Sequence, residues 1–480
     1  MNADPSTAEP LKLPSYVAGQ PIDFGERLDV TYPYTRETVG RVTLAGADAL
    51  NEAIEAAITA PAAPNRYQRY EILEAARGLL NERADEFAHL IRCESGLCMR
   101  ETKYEVGRAA DVLRFAAMES LKDDGQVFSC DVTPSGKARK IFTTREPVQL
   151  VAAITPFNHP LNQVVHKLAP AIAVGAPMIL KPSEKTPLTA IRFAELLYEA
   201  GLPGDRLSVL VGPIDTVVEP LITDERTELV SFTGSVAIGK HISHIAGYKK
   251  LCLELGGNAP LIILDDADMD LAVHLAAEGC YRNSGQRCTA VKRLLVHRAI
   301  REQFTERFVE RTKEYICGDP ADPDTRVGTV IDEAAAINLE RVVGQAVDEG
   351  AKVLCGGGRQ GALLEPTVID NVPRTTEMVV HESFGPLAPI IEIEDIDDAI
   401  EVANGTAYGL SSGIVTNNMR AALGAVKRIR TGTVNVNEIP GFRIESSPFG
   451  GVKDSGLGVK EGVIESMKFM TNVKTFSLPW

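Results

Sequence analysis

Apolar residues recur at helical spacing over residues 47–60 and 67–92, and a third helix is predicted over about 100–121. From Leu150 the pattern changes. Leu150-Val151-Ala152-Ala153-Ile154 is a short unbroken apolar run, the mark of a strand buried on both faces. A helical stretch follows over 161–174, then a strand at Met178-Ile179-Leu180-Lys181, then a helix over 187–200 that ends at Gly201. Residues 207–211 and 229–232 are the third and fourth strands, and a further helix opens at Ser235. This alternation predicts an α/β unit: a parallel sheet with helices on both faces. It restarts after Gly257 and runs to about residue 450, so a second unit of the same class is expected. Residues 137–146 and 474–480 read as exposed strands, edges that need a cover. Residues 1–15 are polar and contain proline, and read as a loose tail.

A chain of 480 residues is too long for one hydrophobic core, so two or three domains are expected. With 44% hydrophobic and 24% charged residues the composition is that of a soluble globular protein. The net charge of −15 argues against a nucleic-acid partner, which would need a basic face. An anionic small molecule would need a local cationic pocket working against that field. No apolar stretch is long enough to span a membrane, and the start has no secretory signal. The eight cysteines are scattered without paired CxxC motifs, so no metal site is predicted. Reduced thiols in the cytoplasm fit this spacing.

The glycine fingerprint GxGxxG of dinucleotide-binding folds is absent after the first strand. Gly456-Leu457-Gly458 comes nearest, but position 461 is glutamate. Phe232-Thr233-Gly234-Ser235-Val236-Ala237-Ile238-Gly239 instead ends a strand and opens a helix. Free N–H groups there suit a pyrophosphate, and a packing-driven turn is the plain alternative. One cysteine stands in a small-residue loop, Asn283-Ser284-Gly285-Gln286-Arg287-Cys288-Thr289, directly before a strand-like run. Upstream, Leu253-Glu254-Leu255-Gly256-Gly257 ends another run.

These segments occur in order with Thr155-Pro156-Phe157-Asn158, Leu180-Lys181-Pro182-Ser183-Glu184, Glu382-Ser383-Phe384-Gly385-Pro386 and Pro448-Phe449-Gly450-Gly451. Together they resemble the aldehyde dehydrogenase superfamily over about residues 20–478. The resemblance implies two doubly wound α/β domains plus a small β oligomerisation arm. It assigns 1–123 and 147–256 to a dinucleotide-binding domain, 257–455 to a catalytic domain, and 124–146 with 456–480 to the arm of a homodimer or homotetramer. It implies Cys288 as nucleophile, Glu254 as general base, Asn158 as oxyanion donor and Lys167 as an electrostatic support. It implies NAD as cofactor, contacted by Thr155, Pro156, Phe157, Lys181, Ser183, Glu184, Gly212, Phe232, Gly234, Ser235, Gly239, Leu255, Glu382 and Phe384. A carboxylate at Glu184 accepts ribose hydroxyls and repels a 2′-phosphate, which favours NAD over NADP; a first-turn helix glutamate is the alternative. Cys280 lacks this context and is expected in the core.

Asn283–Arg293 is similar to the non-phosphorylating glyceraldehyde-3-phosphate and phosphonoacetaldehyde branch of that family. The resemblance places Arg108, His159, Arg287, Thr289 and Arg443 at the substrate, with the two guanidiniums of Arg108 and Arg287 and a charged His159 imidazole binding a doubly charged head group. Phosphonoacetaldehyde is expected first, a phosphorylated aldehyde such as glyceraldehyde 3-phosphate second, and sulfoacetaldehyde or a carboxylate semialdehyde third. The alternatives are an Arg287 paired to an acid, a core His159 and a surface Arg108. A catalytically silent protein of the same fold is the non-enzyme alternative.

Overall fold

The structure, a computed structural model, describes residues 9–480. The first sheet has seven strands. In spatial order they are Lys250–Glu254, Leu229–Thr233, Val151–Ile154, Met178–Lys181, Leu207–Val209, Ser15–Val17 and Gln20–Ile22. The first five are parallel, and all of Val151–Ile154, Met178–Lys181 and Leu229–Thr233 is buried. Both faces are covered, which is why these runs carry no polar alternation. The order reverses at Val151–Ile154: the chain steps outward to Met178–Lys181 on one side and returns as Leu229–Thr233 on the other. The crevice beyond the carboxyl ends of two such strands is where open α/β sheets bind ligands.

The second sheet also has seven strands, ordered Lys352–Cys355, Thr367–Asp370, Leu387–Ile393, Val291–His297, Ala259–Ile263, Ser411–Val415 and Thr433–Val436. Only Lys352–Cys355 runs antiparallel. A three-stranded antiparallel sheet joins Thr471–Pro479, Arg139–Pro147 and Val127–Ser129. Its long pair is in register over nine residues, and most of Thr471–Pro479 is exposed. Ahead of that strand the Val463–Phe469 helix packs on the Asn162–Val174 helix, which leads back toward the cysteine loop.

Three expectations are corrected. The predicted tail over 1–15 lies partly outside the described residues, but Leu11–Leu13 and Ser15–Val17 are strands with Leu13 and Val17 buried. Three-residue strands are too short for a period of two to show in sequence. The predicted helix over 67–92 is two, Arg66–Glu82 and Ala84–Ser95. Arg83 leaves the helical region at φ −105°, ψ 22°, and its guanidinium holds Glu199 at 2.6 and 2.8 Å. No glycine or proline marks that break in the sequence. The third strand stops at Val209.

Candidate active site

The chain leaves the first sheet at Glu254 and enters the second at Ala259. The carboxyl edge of one sheet therefore faces the amino edge of the other, and the cysteine loop precedes the adjoining strand Val291–His297. Asn283, Ser284 and Gly285 take three consecutive left-handed conformations, φ 58°, 52° and 69°. A Cβ on Gly285 would stand 2.1 Å from the Gly385 carbonyl oxygen, so only glycine fits. Lys292 is fully buried and clamps the turn, donating to Gly285 O at 2.7 Å and Gly385 O at 2.6 Å. Burial pushes its ammonium down to about 8.

Asn158 follows the Val151–Ile154 strand and is buried. Its Nδ2 donates to Gln286 O at 2.8 Å, and Asn283 Nδ2 donates to Asn158 O at 3.0 Å. One amide proton of Asn158 is thus used to hold the cysteine loop and the other is left for an oxyanion. Burial pushes the Cys288 thiol up to about 12, with Glu382 and Glu254 adding to the shift and Arg443 and Arg287 opposing it. In the protein alone the thiol is protonated.

Glu254 is buried, and neither carboxylate oxygen has a hydrogen-bond partner. Burial, then the charge of Glu461, raises it well above the usual carboxylate range, while Arg443, Lys167 and Lys460 pull it down. Lys167 is fully buried and fully satisfied. It donates to Glu461 Oε1 at 2.8 Å and to the hydroxyls of Ser231 and Thr233 at 2.9 Å each. It bears on Glu254 by charge alone. Burial works against ionised Glu461, but Lys167 overcomes it and holds that carboxyl below its ordinary value.

The residues expected at the cofactor gather around the switch point. Thr155 Oγ1 is buried without a partner at the end of one central strand. Pro156 and Phe157 follow, and the Phe157 ring meets Phe384 edge-on at 5.9 Å. At the end of the other central strand, Phe232 and Gly234 lead to Ser235, which caps the Val236–Ile245 helix by accepting from Ile238 N at 3.4 Å. Gly239 lies against Leu255 so closely that a Cβ would meet its Cδ2 at 2.3 Å. Lys181 Nζ pairs with Glu184, and Ser183 Oγ accepts from Lys185 N at 3.2 Å. Gly212 follows the Leu207–Val209 strand. Glu382 Oε1 accepts from Gly257 N at 2.9 Å, and burial pushes its carboxyl up to about 7. A buried hydroxyl without a partner, a helix N-terminus with one N–H taken by Ser235 and a nearly unpartnered carboxyl fit a dinucleotide that brings donors and a pyrophosphate.

On the far side of Arg287 lies a cavity of about 230 Å³ lined by Arg108, His159, Arg282, Arg287 and Arg443. Arg282 is matched by Glu101 at 3.1 Å and lies 4.2 Å over the Tyr104 ring. Arg108 Nε donates to Glu445 Oε1 at 2.5 Å, and Arg443 Nη2 is 3.8 Å from Glu445 Oε2. Arg443 also covers the Phe449 ring at 3.8 Å, and its buried Nη1 has no partner. Arg287 reaches only Thr289 Oγ1, at 3.5 Å, and has no carboxylate in ion-pair contact among the described residues. Burial, then the neighbouring Arg282, pushes its guanidinium down to about 10. His159 is held well below its ordinary value by burial and by all four arginines. It is therefore neutral near pH 7, which corrects the charged imidazole expected from sequence.

A protein-family model described as the aldehyde dehydrogenase family matches residues 21–476. The chain belongs to the aldehyde dehydrogenase family. Priestia aryabhattai 3-sulfolactaldehyde dehydrogenase is 38% identical over 464 residues, 96% of this chain and 97% of the relative. Aldehyde dehydrogenase 21 from Physcomitrella patens, in complex with the reaction product succinate, superposes with TM-score 0.95 at 36% identity, covering 98% of this chain and 99% of that one. Glyceraldehyde-3-phosphate dehydrogenase from Methanocaldococcus jannaschii, complexed with NADP, gives TM-score 0.90 at 36% identity over 96% of this chain and 100% of that one. The aldehyde dehydrogenase fold seen here is thus that of its relatives, and the chain is an NAD(P)-dependent aldehyde dehydrogenase. Among the described residues no helix is long and apolar enough to cross a membrane, and no side-chain group could hold a metal.

Sequence reading missed three charged groups of this aldehyde dehydrogenase: Glu461, Glu445 and Lys292. Glu461 was visible only as the residue that spoils a glycine fingerprint. A signal existed for Lys292, a lysine inside an otherwise apolar strand. The buried thiol yields a direct expectation. Iodoacetamide alkylation of Cys288 in the cofactor-free enzyme should climb about tenfold per pH unit to at least about pH 9. Mass spectrometry of the Cys288 peptide reads it, and a plateau near neutral pH would show a thiolate already formed.

Proposed function

We propose that this enzyme oxidises a short aldehyde with a compact, singly charged oxyanion head group, sulfonate first, to the free carboxylic acid with NAD. The observation that carries this reading is Arg287, a buried guanidinium without a carboxylate beside a cavity next to Cys288. A buried charge left unpaired is costly, and an anion in the cavity relieves that cost. Of the four arginines there, Arg282 is closely matched by Glu101, and Arg108 and Arg443 share Glu445. Four guanidiniums against these two carboxylates leave two positive charges, one on Arg287 and one spread over the Arg108–Arg443 pair, and only Arg287 stands without any carboxylate. A sulfonate is met by Arg287 alone, whereas the second charge of phosphonoacetaldehyde, first by sequence, would have to draw on the Arg108–Arg443 pair already held by Glu445, so it ranks below sulfoacetaldehyde or a sulfonated three-carbon aldehyde. The sulfonated, carboxylated and phosphorylated molecules named for the three relatives support an anionic class.

In this mechanism Cys288 gives its thiol proton to solvent water, and the thiolate Sγ adds to the aldehyde carbon. The oxygen that becomes negative takes hydrogen bonds from the free amide proton of Asn158 and the Cys288 N–H. The head group lies in the arginine cavity, where neutral His159 and Thr289 add hydrogen bonds without charge. A dinucleotide held there would supply the hydride acceptor, and loss of hydride from the tetrahedral carbon leaves Cys288 as a thioester. Glu254 then removes a proton from the water that attacks this thioester, releasing the acid and the thiol. Burial and Glu461 raise its proton affinity against the pull of Arg443, Lys167 and Lys460, so Glu254 acts as the base once it has ionised. Thr155, Phe157, the Ser235 helix end and Glu382 would hold the dinucleotide, with Glu184 and Lys181 at the adenosine ribose. The exposed strand Thr471–Pro479 is the proposed arm of a homodimer or homotetramer. Eight free cysteines suit a reducing cytoplasm.

Glu254→Gln should leave a burst of about one NADH per site and slow later turnover by roughly 10²–10⁴-fold. Stopped-flow absorbance separates the two phases, and loss of the burst would place Glu254 in the first step. Arg287→Ala should lower kcat/KM for sulfoacetaldehyde by about 30- to several-thousand-fold and for propionaldehyde much less. Equal losses would make Arg287 a loop-holding residue and remove the support for an anionic substrate. With Glu184 at the ribose, NAD should give the higher kcat/KM of the two dinucleotides. A preference for NADP in the same assay would assign that choice elsewhere.

A further inference from the structure

Glu445 is a buried carboxylate that the chemistry above does not use. Its Oε1 accepts from Arg108 Nε at 2.5 Å, and its Oε2 accepts from His166 Nε2 at 2.6 Å. Arg443 Nη2 lies 3.8 Å from the same Oε2. The backbone fixes it as well, since its carbonyl accepts from Val463 N at 3.1 Å. Burial favours the neutral acid, but His166, Arg108 and Arg443 overcome burial and hold Glu445 far below the usual carboxylate range. It is an anion at every working pH.

Its effect on Arg108 is specific. Glu445 grips Nε, the inner nitrogen, while Arg108 lines the cavity. The outer nitrogens of Arg108 make no protein hydrogen bond among the described residues. Arg108 therefore offers the cavity hydrogen-bond donors whose charge is cancelled from behind. Glu101 cancels Arg282 in the same way, and Arg287 is left uncancelled. Geometry for several oxygens is thus kept while Glu445, shared with Arg443, takes one charge out of the field of the guanidiniums.

We propose that Glu445 is a specificity-determining positioning residue: by offsetting the charge of Arg108 it biases the cavity toward a singly charged head group over a doubly charged one. This rests on the anionic-aldehyde reading. The role differs from that of a residue that merely holds the loop, because it predicts a change in preference and not only a loss.

The test compares sulfoacetaldehyde with phosphonoacetaldehyde, which differ by one charge once the phosphonate has lost both protons, and uses propionaldehyde as the neutral reference. In Glu445→Gln the ratio of kcat/KM, phosphono over sulfo, should rise about tenfold or more, since the freed guanidinium charge acts twice on a dianion. Arg108→Gln should move the ratio the opposite way, and Glu445→Asp should return it toward wild type. An unchanged ratio in Glu445→Gln, with all three aldehydes losing activity alike, overturns the proposal and leaves the anionic reading intact. A wild-type preference for propionaldehyde over both anions overturns the anionic reading, and this inference with it. If thermal denaturation shows Glu445→Gln unfolded, Arg108→Gln decides: an unmoved ratio there also overturns the proposal.

Discussion

Two glycines pass between the sheets where the site is tightest. A Cβ on Gly257 would stand 2.1 Å from the Cys288 carbonyl oxygen, and one on Gly256 would stand 2.3 Å from Glu382 Oε2. The backbone between Glu254 and Ala259 is therefore the wall against which both the cysteine loop and the Glu382 loop are set. Gly257 N also donates to Glu382, so the wall contributes a bond as well as room. A side chain at Gly257 would collide with the backbone of the cysteine loop, and one at Gly256 would displace the Glu382 carboxylate.

The second constraint is charge held without water. Lys167 with Glu461, Arg108 with Glu445 and Arg282 with Glu101 are ion pairs within the interior. Such pairs add little to stability against apolar replacements, so their presence points to function. They divide the centre into two regions. Around Glu254 burial and Glu461 raise the carboxyl well above its usual range against the pull of Arg443, Lys167 and Lys460. Around Arg287 the arginines raise the cost of an empty cavity.

Much of this was legible in the chain. The unbroken apolar runs at 150–154, 178–181 and 229–232 betrayed parallel strands, because strands covered on both faces have no polar side to display. Cys288, Glu254 and Asn158 stood in motifs whose order carried the family. What stayed hidden is long-range. Glu445 meets Arg108 across 337 residues and His166 across 279, and Glu461 meets Lys167 across 294. No local pattern encodes such a meeting. The protonation of His159 was misjudged for the same reason: four arginines from separate segments set it. The break at Arg83 was invisible because neither glycine nor proline stands there, and its ion pair with Glu199 on another helix has no local signature.

The placement of Glu461 has a consequence for synthesis. A ribosome delivers the amino end first, and domains tend to fold as they emerge. Lys167 belongs to a buried helix against the first sheet, yet its carboxylate lies 294 residues later in the chain. Until then the nascent first domain must leave that ammonium wet or bury it unpaired. The finished interior, and with it the tuned Glu254, is consequently a property of the completed chain. A stalled or truncated product would hold most of the first sheet and still lack the ion that closes its core.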